Sequence, residues 1–370
     1  MKEKKIALLL FNYFPFGGLQ KDFYLIATEL KKRNFQLKIF TGEWTGSNPE
    51  NFDVVELGFK GTTNHAKNIN FTKKVQKELK NFQPDLVFGF NKMPGLDLYF
   101  AADTCFKYKA RTKKSIFYRL LGRYKNSVGY EAEVFRDGSN TKILLLNNKQ
   151  KNEFVEEYST NVNRMQIIPP GISRNWGAKN KLKIREKLNL SPKSKIIAFV
   201  GSDFKRKGLD RAIRSLASLG DEYKDTYLLV AGQDNENLYK SLINREKLTN
   251  RVIFLGPFSN ISGLMKEADV LIHPAREEAA GNVIIEAMVS SLPILTCESV
   301  GFSSLVEEYS SGFVLKESFR QEGLDKLLKL IVSQEVNNEI RLKMSELGSN
   351  NFFYSRSNFI ANYIESNFDE

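Results

Sequence analysis

Val270-Leu-Ile-His-Pro-Ala-Arg-Glu-Glu-Ala-Ala-Gly-Asn-Val-Ile-Ile-Glu286 runs from a short apolar segment, through a glycine turn, into a second apolar stretch. Val270–His273 reads as a buried strand, Gly281 as the turn, and the residues after Gly281 as a helix. Two carboxylates, Glu278 and Glu286, flank the turn. Eight helical residues span about 12 Å, enough for the two to grip distant parts of one long ligand. The first helical N–H groups have no partner within a helix and donate readily to a polar ligand. Taken alone, the stretch fits an ordinary strand–helix turn with a surface Glu at each end equally well.

The same alternation extends in both directions. Short apolar runs occur at Lys5–Phe11, Leu37–Phe40, Val54–Leu57, Asp85–Phe90, Lys142–Leu146 and Met165–Ile168. A second series lies at Ile196–Val200, Tyr227–Ala231, Val252–Leu255, Val270–His273, Ile294–Thr296 and Phe313–Leu315. Helix-period segments such as Gln20–Arg33, Asn70–Phe82, Leu209–Leu219 and Leu238–Lys247 separate them. Strands alternating with helices predict an α/β protein with two open, mostly parallel sheets. A chain of 370 residues suits two cores rather than one. Pro169-Pro-Gly171 stiffens and then frees the backbone, which places the division there: 1–170, then 171–350. A terminal helix over 351–370 is expected to pack back on the first domain.

Composition narrows the function classes. The chain contains no run of 18 apolar residues, so no spanning helix is expected. Met1–Lys5 followed by Ile6–Leu10 faintly resembles a signal peptide, but Asn12 breaks the apolar run, and a first strand is the better reading. Two cysteines, Cys105 and Cys297, make no disulfide framework and suit a reducing, cytoplasmic compartment. A net charge of +12 points to an anionic partner: nucleic acid, phosphorylated substrate or membrane surface.

In open parallel sheets ligands bind beyond the C-terminal strand ends, so the loops there hold the candidates. Gly17 and Gly18 come after the first strand; paired glycines permit positive φ and close backbone approach to a phosphate or sugar. Lys205-Arg-Lys207 comes after the first strand of the second domain, where a guanidinium fork and ammonium charges suit a pyrophosphate. The same loop fits a solvated basic turn. Asp103 sits among small and apolar residues, as a group that polarises an acceptor hydroxyl or as a structural carboxylate.

Lys107, Lys109, Arg111, Lys113, Lys114, Arg119, Arg123 and Lys125 fall in one segment without an acidic residue. Ile116, Leu120 and Tyr124 are spaced i, i+4, i+8, which predicts a basic amphipathic helix of the kind that lies on a membrane surface. Each Lys or Arg near an anionic surface adds ~1 kcal/mol. A core-packed helix with a solvated face, or RNA binding, uses the same residues.

Other chemistries find no support. Neither His65 nor His273 has a Cys or His at ligand spacing, no Asp-x-Asp occurs, and no metal site is expected. His273 reads as a structural strand-end residue, and Cys105 as a buried thiol in preference to one activated by the neighbouring basic segment. Gly-x-Ser-x-Gly, the P-loop and Gly-x-Gly-x-x-Gly are missing, which disfavours hydrolase, ATP and nicotinamide chemistry, an epimerase included. No RNA-binding motif accompanies the charge.

Together these features resemble the retaining glycosyltransferases of family 4. Asn12–Gln20, Gly89–Asp97, Tyr99–Asp103, Pro169–Ile172, Gly201–Phe204 and Glu278–Gly281 look, in order, like the lipopolysaccharide core glucosyltransferase I family (RfaG/WaaG type). Glu-x7-Glu marks the broad family, and Asn91-Lys-Met-Pro-Gly-Leu-Asp97 the narrow one. The resemblance implies a GT-B fold, two Rossmann-like doubly wound parallel-sheet domains facing each other across a cleft. It implies transfer of glucose from UDP-glucose to an inner-core heptose in an α-1,3 linkage, with retention and with neither metal nor cofactor. By position it implies Glu286 on the ribose, and Glu278 with Ala279, Ala280, Gly281, Asn282 and Val283 around the donor sugar. Arg206 and Lys207 would meet the pyrophosphate, Gly17 and Gly18 the donor from the first domain, and Asp103 the transferred glucose. Arg174 matches a family basic residue after Pro-Pro-Gly-Ile, although the spacing in Ser173–Trp176 departs from the pattern. The family's Arg near Pro257 has no counterpart here. Residues 106–130 match the family's membrane-associating segment, which implies peripheral attachment to the cytoplasmic face of the inner membrane. Two competing expectations stand beside this one: a family 4 transferase with another sugar nucleotide or a glycolipid or capsule acceptor, and a basic nucleic-acid-binding protein.

Overall fold

The structure, a computed structural model, describes residues 4–15, 17–113, 115–177 and 182–369. The chain forms two compact units, one of Met1–Gly171 with Ser355–Glu370 and one of Ile172–Tyr354.

The first unit holds a seven-stranded sheet: β1 (Lys5–Tyr13), β2 (Gln36–Trp44), β3 (Asp53–Glu56), β4 (Leu86–Gly89), β5 (Leu98–Ala101), β6 (Lys142–Leu145) and β7 (Met165–Ile167). Its order is β3-β2-β1-β4-β5-β6-β7, parallel throughout. The second unit holds six parallel strands: β8 (Lys195–Val200), β9 (Thr226–Ala231), β10 (Val252–Gly256), β11 (Val270–His273), β12 (Ile294–Cys297) and β13 (Gly312–Leu315). Their order is β10-β9-β8-β11-β12-β13. Helices cover both faces of a parallel sheet, so its central strands carry unbroken apolar runs. Ile6 to Leu9 are buried without a polar interruption, as are Val270 to Ile272.

Each sheet reverses its order once, at β1/β4 and at β8/β11. Beyond the C-terminal ends of such a strand pair a crevice opens, the usual ligand position in doubly wound sheets. The loops leaving β8 and β11 are the ones that carry Lys205–Lys207 and Glu278. One register therefore brings together motifs 71 residues apart in the chain.

The elements differ from expectation in three places. β5 lies inside a stretch read only as a motif-bearing loop; four residues close behind Pro94-Gly95 are too short to show a period. The basic segment is not one helix. It breaks into a helix Phe106–Lys113, a 3-10 turn Ile116–Leu120 and a helix Gly122–Phe135, with Leu121 extended at φ −69°, ψ 140°. Ile116, Leu120 and Tyr124 straddle that break and share no helical face. Finally, the terminal stretch opens as a 3-10 turn, Asn351–Tyr354, and only Arg356–Asp369 is α-helical.

The Asn91–Asp97 string serves as fastening. Asn91 accepts from the Phe11 amide on β1 (2.7 Å), and Asp97 from the Val87 amide on β4 (2.7 Å). Lys92 donates to Glu131 at 2.5 Å. Glu131 is fully buried and also accepts from the Phe106 and Lys107 amides (2.9 Å each) and the Tyr158 hydroxyl (2.8 Å). Burial opposes its ionisation, but Lys92 and those amides outweigh burial and keep its pKa below the usual range. This carboxylate, unremarked in the sequence, anchors the start of the basic segment.

Candidate active site

The loop after β8 is a single helical turn, Phe204–Lys207, braced on all sides. Asp203 caps it, accepting from the Arg206 amide, and Asp234 accepts from the Phe204 amide at 2.7 Å. Gly208 ends it at φ +81°, where a Cβ would lie 2.2 Å from the Pro274 carbonyl oxygen, so only glycine lets the two loops approach this closely. Arg276, which the sequence did not single out, completes the junction. Its amide donates to the Arg206 carbonyl at 2.7 Å, and its guanidinium grips Asp210 with both terminal nitrogens (2.8 and 2.7 Å).

The turn sorts its three basic residues. Lys205 faces solvent, Arg206 is half-buried and Lys207 is buried. Arg206 donates to Asp203 (2.7 Å) and to the Glu277 carbonyl (3.1 Å). Lys207 turns inward and donates to Oε1 of Glu278.

Past β11, Glu278 makes a single parallel bridge to Val300, and backbone hydrogen bonds fasten the turn that comes after it. The Glu278 amide donates to Ser299, while Gly301 and Phe302 donate back to Glu278 and Ala280. Gly281 then takes φ +85° and starts the helix Asn282–Met288; a Cβ there would strike Val300 at 2.5 Å. Asn282 opens that helix, Val283 is buried beneath it, and Glu286 faces outward on its half-buried side.

Glu278 is held at both oxygens, by Lys207 at Oε1 and by His273 at Oε2 (2.6 Å). Burial penalises the carboxylate, but His273 and Lys207 together outweigh it and hold the pKa well below the ordinary range. Burial pulls the Lys207 pKa down, with Arg206 adding to the effect and Glu278 and Glu286 opposing it. Lys207 is thus a buried ammonium whose side-chain partner is the Glu278 carboxylate, with Glu286 adding a weaker attraction.

The remaining candidates stand elsewhere. Arg174 donates to Asn351 at 3.0 Å and lies over the Tyr354 ring, with no contact to the Lys207–Glu278 pair. Asp103 is exposed just beyond β5, its carbonyl accepting from Gln150. Gly17 caps the helix Gly18–Lys32 at φ −78°, so neither glycine uses positive φ. A Cβ on Gly18 would meet nothing within 4 Å, which leaves open space beside it. Cys105 and Cys297 are buried, and burial pushes the Cys297 thiol up to about 11, out of nucleophilic range.

Among the described residues of the 107–125 segment, Lys107 and Arg111 are committed to a neighbouring helix. Lys107 and Arg111 pair with Glu157, and Arg111 also pairs with Glu156, all on the neighbouring helix Asn148–Tyr158. Arg119, Arg123 and Lys125 are exposed, beside Phe117 and Leu120 at 74% and 72% exposure. Lys114 and the Lys113 side chain lie outside the described residues.

Two doubly wound parallel sheets, with a Lys/Arg turn meeting a Glu-x7-Glu helix at a switch point, define a glycosyltransferase of the GT-B class. Residues 180–350 match the family model "Glycosyl transferases group 1". The chain is 39% identical over 335 residues to the lipopolysaccharide glucosyltransferase WaaG of Escherichia coli K12, covering 89% of this chain and 90% of that one. It matches a crystal structure of WaaG, a glycosyltransferase involved in lipopolysaccharide biosynthesis, at a TM-score of 0.92 and 36% identity, over 97% of this chain and 99% of the other. The Anabaena protein HepE, in complex with UDP-glucose, shares the fold at 18% identity and a TM-score of 0.74, over 98% and 99% of the two chains. The chain belongs to the WaaG family of glycosyltransferases.

Proposed function

We propose that this protein is a lipopolysaccharide core glucosyltransferase that moves glucose from UDP-glucose to an inner-core heptose, in an α-1,3 linkage and with retention. The observation that carries the donor half is the buried Lys207–Glu278 pair at the β8/β11 switch point. The acceptor half rests on the similarity to WaaG. Lys207 and Arg206 neutralise the diphosphate, the task a metal performs in other transferases, so the reaction is read as metal-independent and free of cofactors. Glu278 and the 279–283 backbone hold the sugar hydroxyls, and Glu286 the ribose. Gly17, Gly18 and Arg174 are assigned to the donor and Asp103 to the acceptor by their family positions alone.

The chemistry is same-face displacement. The bond from the anomeric carbon to the phosphate oxygen breaks as the bond to the acceptor oxygen forms, and the departing phosphate takes the acceptor's proton. No carboxylate is needed as a nucleophile. Arg119, Arg123 and Lys125, with the exposed Phe117 and Leu120, are read as a peripheral dock on an anionic membrane surface, where the lipid-linked acceptor resides. Among the described residues no helix is long and apolar enough to cross a membrane.

The test is UDP release across several UDP-sugars, with heptose-terminated lipopolysaccharide as acceptor. UDP-glucose should be turned over fastest, and only with that acceptor present. Faster turnover of UDP-galactose or UDP-N-acetylglucosamine would overturn the donor assignment. Transfer that ignores the heptose would overturn the acceptor.

A further inference from the structure

His273 closes β11 and is fully buried, its carbonyl accepting from Thr296 at 2.9 Å. Its Nε2 lies 2.6 Å from Oε2 of Glu278. An ionised carboxylate only accepts, so Nε2 carries the proton and donates. Its Nδ1 is buried and has no partner among the described residues. A protonated ring would leave a buried N–H unpaired there, a costly arrangement, whereas an idle lone pair costs less. Burial, with Lys207 and Arg206 nearby, disfavours the imidazolium, and Glu278 does not reverse this. The ring is therefore neutral and a donor at one nitrogen only.

We propose that His273 is a positioning residue: a neutral donor that fixes Glu278 through Oε2, leaving Oε1 to pass from Lys207 to a donor-sugar hydroxyl when Lys207 turns to the diphosphate. The inference rests on the sugar-nucleotide reading of this site. A second cation in place of His273 would neutralise Glu278 and weaken its hold on Lys207; a neutral donor orients without competing. The arrangement is stiff. Pro274 comes directly after His273, and Glu278 is pinned by its bridge to Val300. When Lys207 moves away, His273 is the contact that keeps Glu278 from swinging. The groups facing the pair are Lys207, Arg206 and, through Lys207, Glu286.

The experiment compares His273→Leu with His273→Gln in the full chain, by steady-state kinetics with UDP-glucose and acceptor from about pH 3.5, below the ordinary carboxylate value, to about pH 8. The glutamine amide nitrogen reaches the position of Nε2, and leucine fills the space without a donor. The leucine variant should lose about 10- to 100-fold in kcat, the worth of a hydrogen bond to a charged group. The acid limb of its kcat profile should move to higher pH, because Glu278 loses one of the two contacts that keep it ionised. The glutamine variant should recover most of the rate and the original limb. Loss of rate in step with melting temperature, equal in both variants and without a shifted limb, would reduce His273 to packing and overturn the inference. If the leucine variant does not fold, His273→Asn, whose amide stops short of Glu278, replaces it in the same comparison. A wild-type chain that turns over no sugar nucleotide defeats the underlying reading instead.

Discussion

Arg356, in the last helix, donates to the carboxylate of Asp22, in the helix after β1, at 2.6 Å, and both side chains are buried. Arg356 also donates to the Pro169 carbonyl (3.1 Å) and packs so closely on Gly171 that a Cβ there would lie 2.3 Å from its own. The chain's last helix is thereby fastened to its first and to the end of the segment that closes the first unit. Removing one member of a buried ion pair strands the other charge, at a cost of about 3–5 kcal/mol. Arg356→Ala and Asp22→Ala should each lower the melting temperature by several degrees, and the double variant should fall well short of their sum. Additive losses in a thermal melt would show that the pair is not coupled.

Lys207→Ala should cut kcat by about 100- to 1,000-fold, the scale of losing a charge aimed at a leaving group. Glu278 keeps His273 as a partner, so the fold should survive. Circular dichroism and UDP release on the same preparation check both halves, and turnover within threefold of wild type would remove Lys207 from the leaving-group site.

Reversing Arg119, Arg123 and Lys125 to Glu should weaken binding to anionic vesicles on the order of a hundredfold or more. Replacing Lys107 and Arg111 should instead act on stability, since both are paired with Glu157. Vesicle co-sedimentation and thermal melts separate the two outcomes; equal vesicle loss in both sets would contradict the division of labour in the segment.

Acid should destabilise the protein in two stages. His273 has a folded-state pKa below its usual 6.5 because it is buried, so as pH falls below that value the unfolded chain takes up a proton that the folded one does not. Stability therefore drops as pH falls through about 6.5, the ordinary value for a histidine in the unfolded chain. Glu278, depressed from its usual 4.5, stabilises fully above that pH, and its contribution is lost as pH falls further, through its folded pKa. His273→Gln should flatten the first stage and leave the second; identical pH slopes in wild type and variant would assign the first stage to another group.

Much of the fold was legible because a parallel sheet covered on both faces needs unbroken apolar strands, which leave a plain pattern. β5 was not, since four residues cannot display a period and its neighbours read as a turn. The basic segment misled for a related reason. Its i, i+4, i+8 spacing is necessary for a helical face but not sufficient, and Leu121-Gly122 breaks the helix regardless.

The amino-acid order by itself determined the two-sheet architecture, the family, and which loops carry the Lys/Arg turn and the Glu-x7-Glu helix, because these arise from local pattern and motif spacing. Only the tertiary structure decided that Lys207 points inward while Lys205 points out, that His273 shares Glu278 with Lys207, and that Glu131 anchors the basic segment. Two of those pairings, Lys207 with Glu278 and Lys92 with Glu131, join residues dozens apart in the chain, and all depend on through-space distances. Sheet register sets such distances, and no local sequence pattern encodes which of several charged neighbours a side chain will reach.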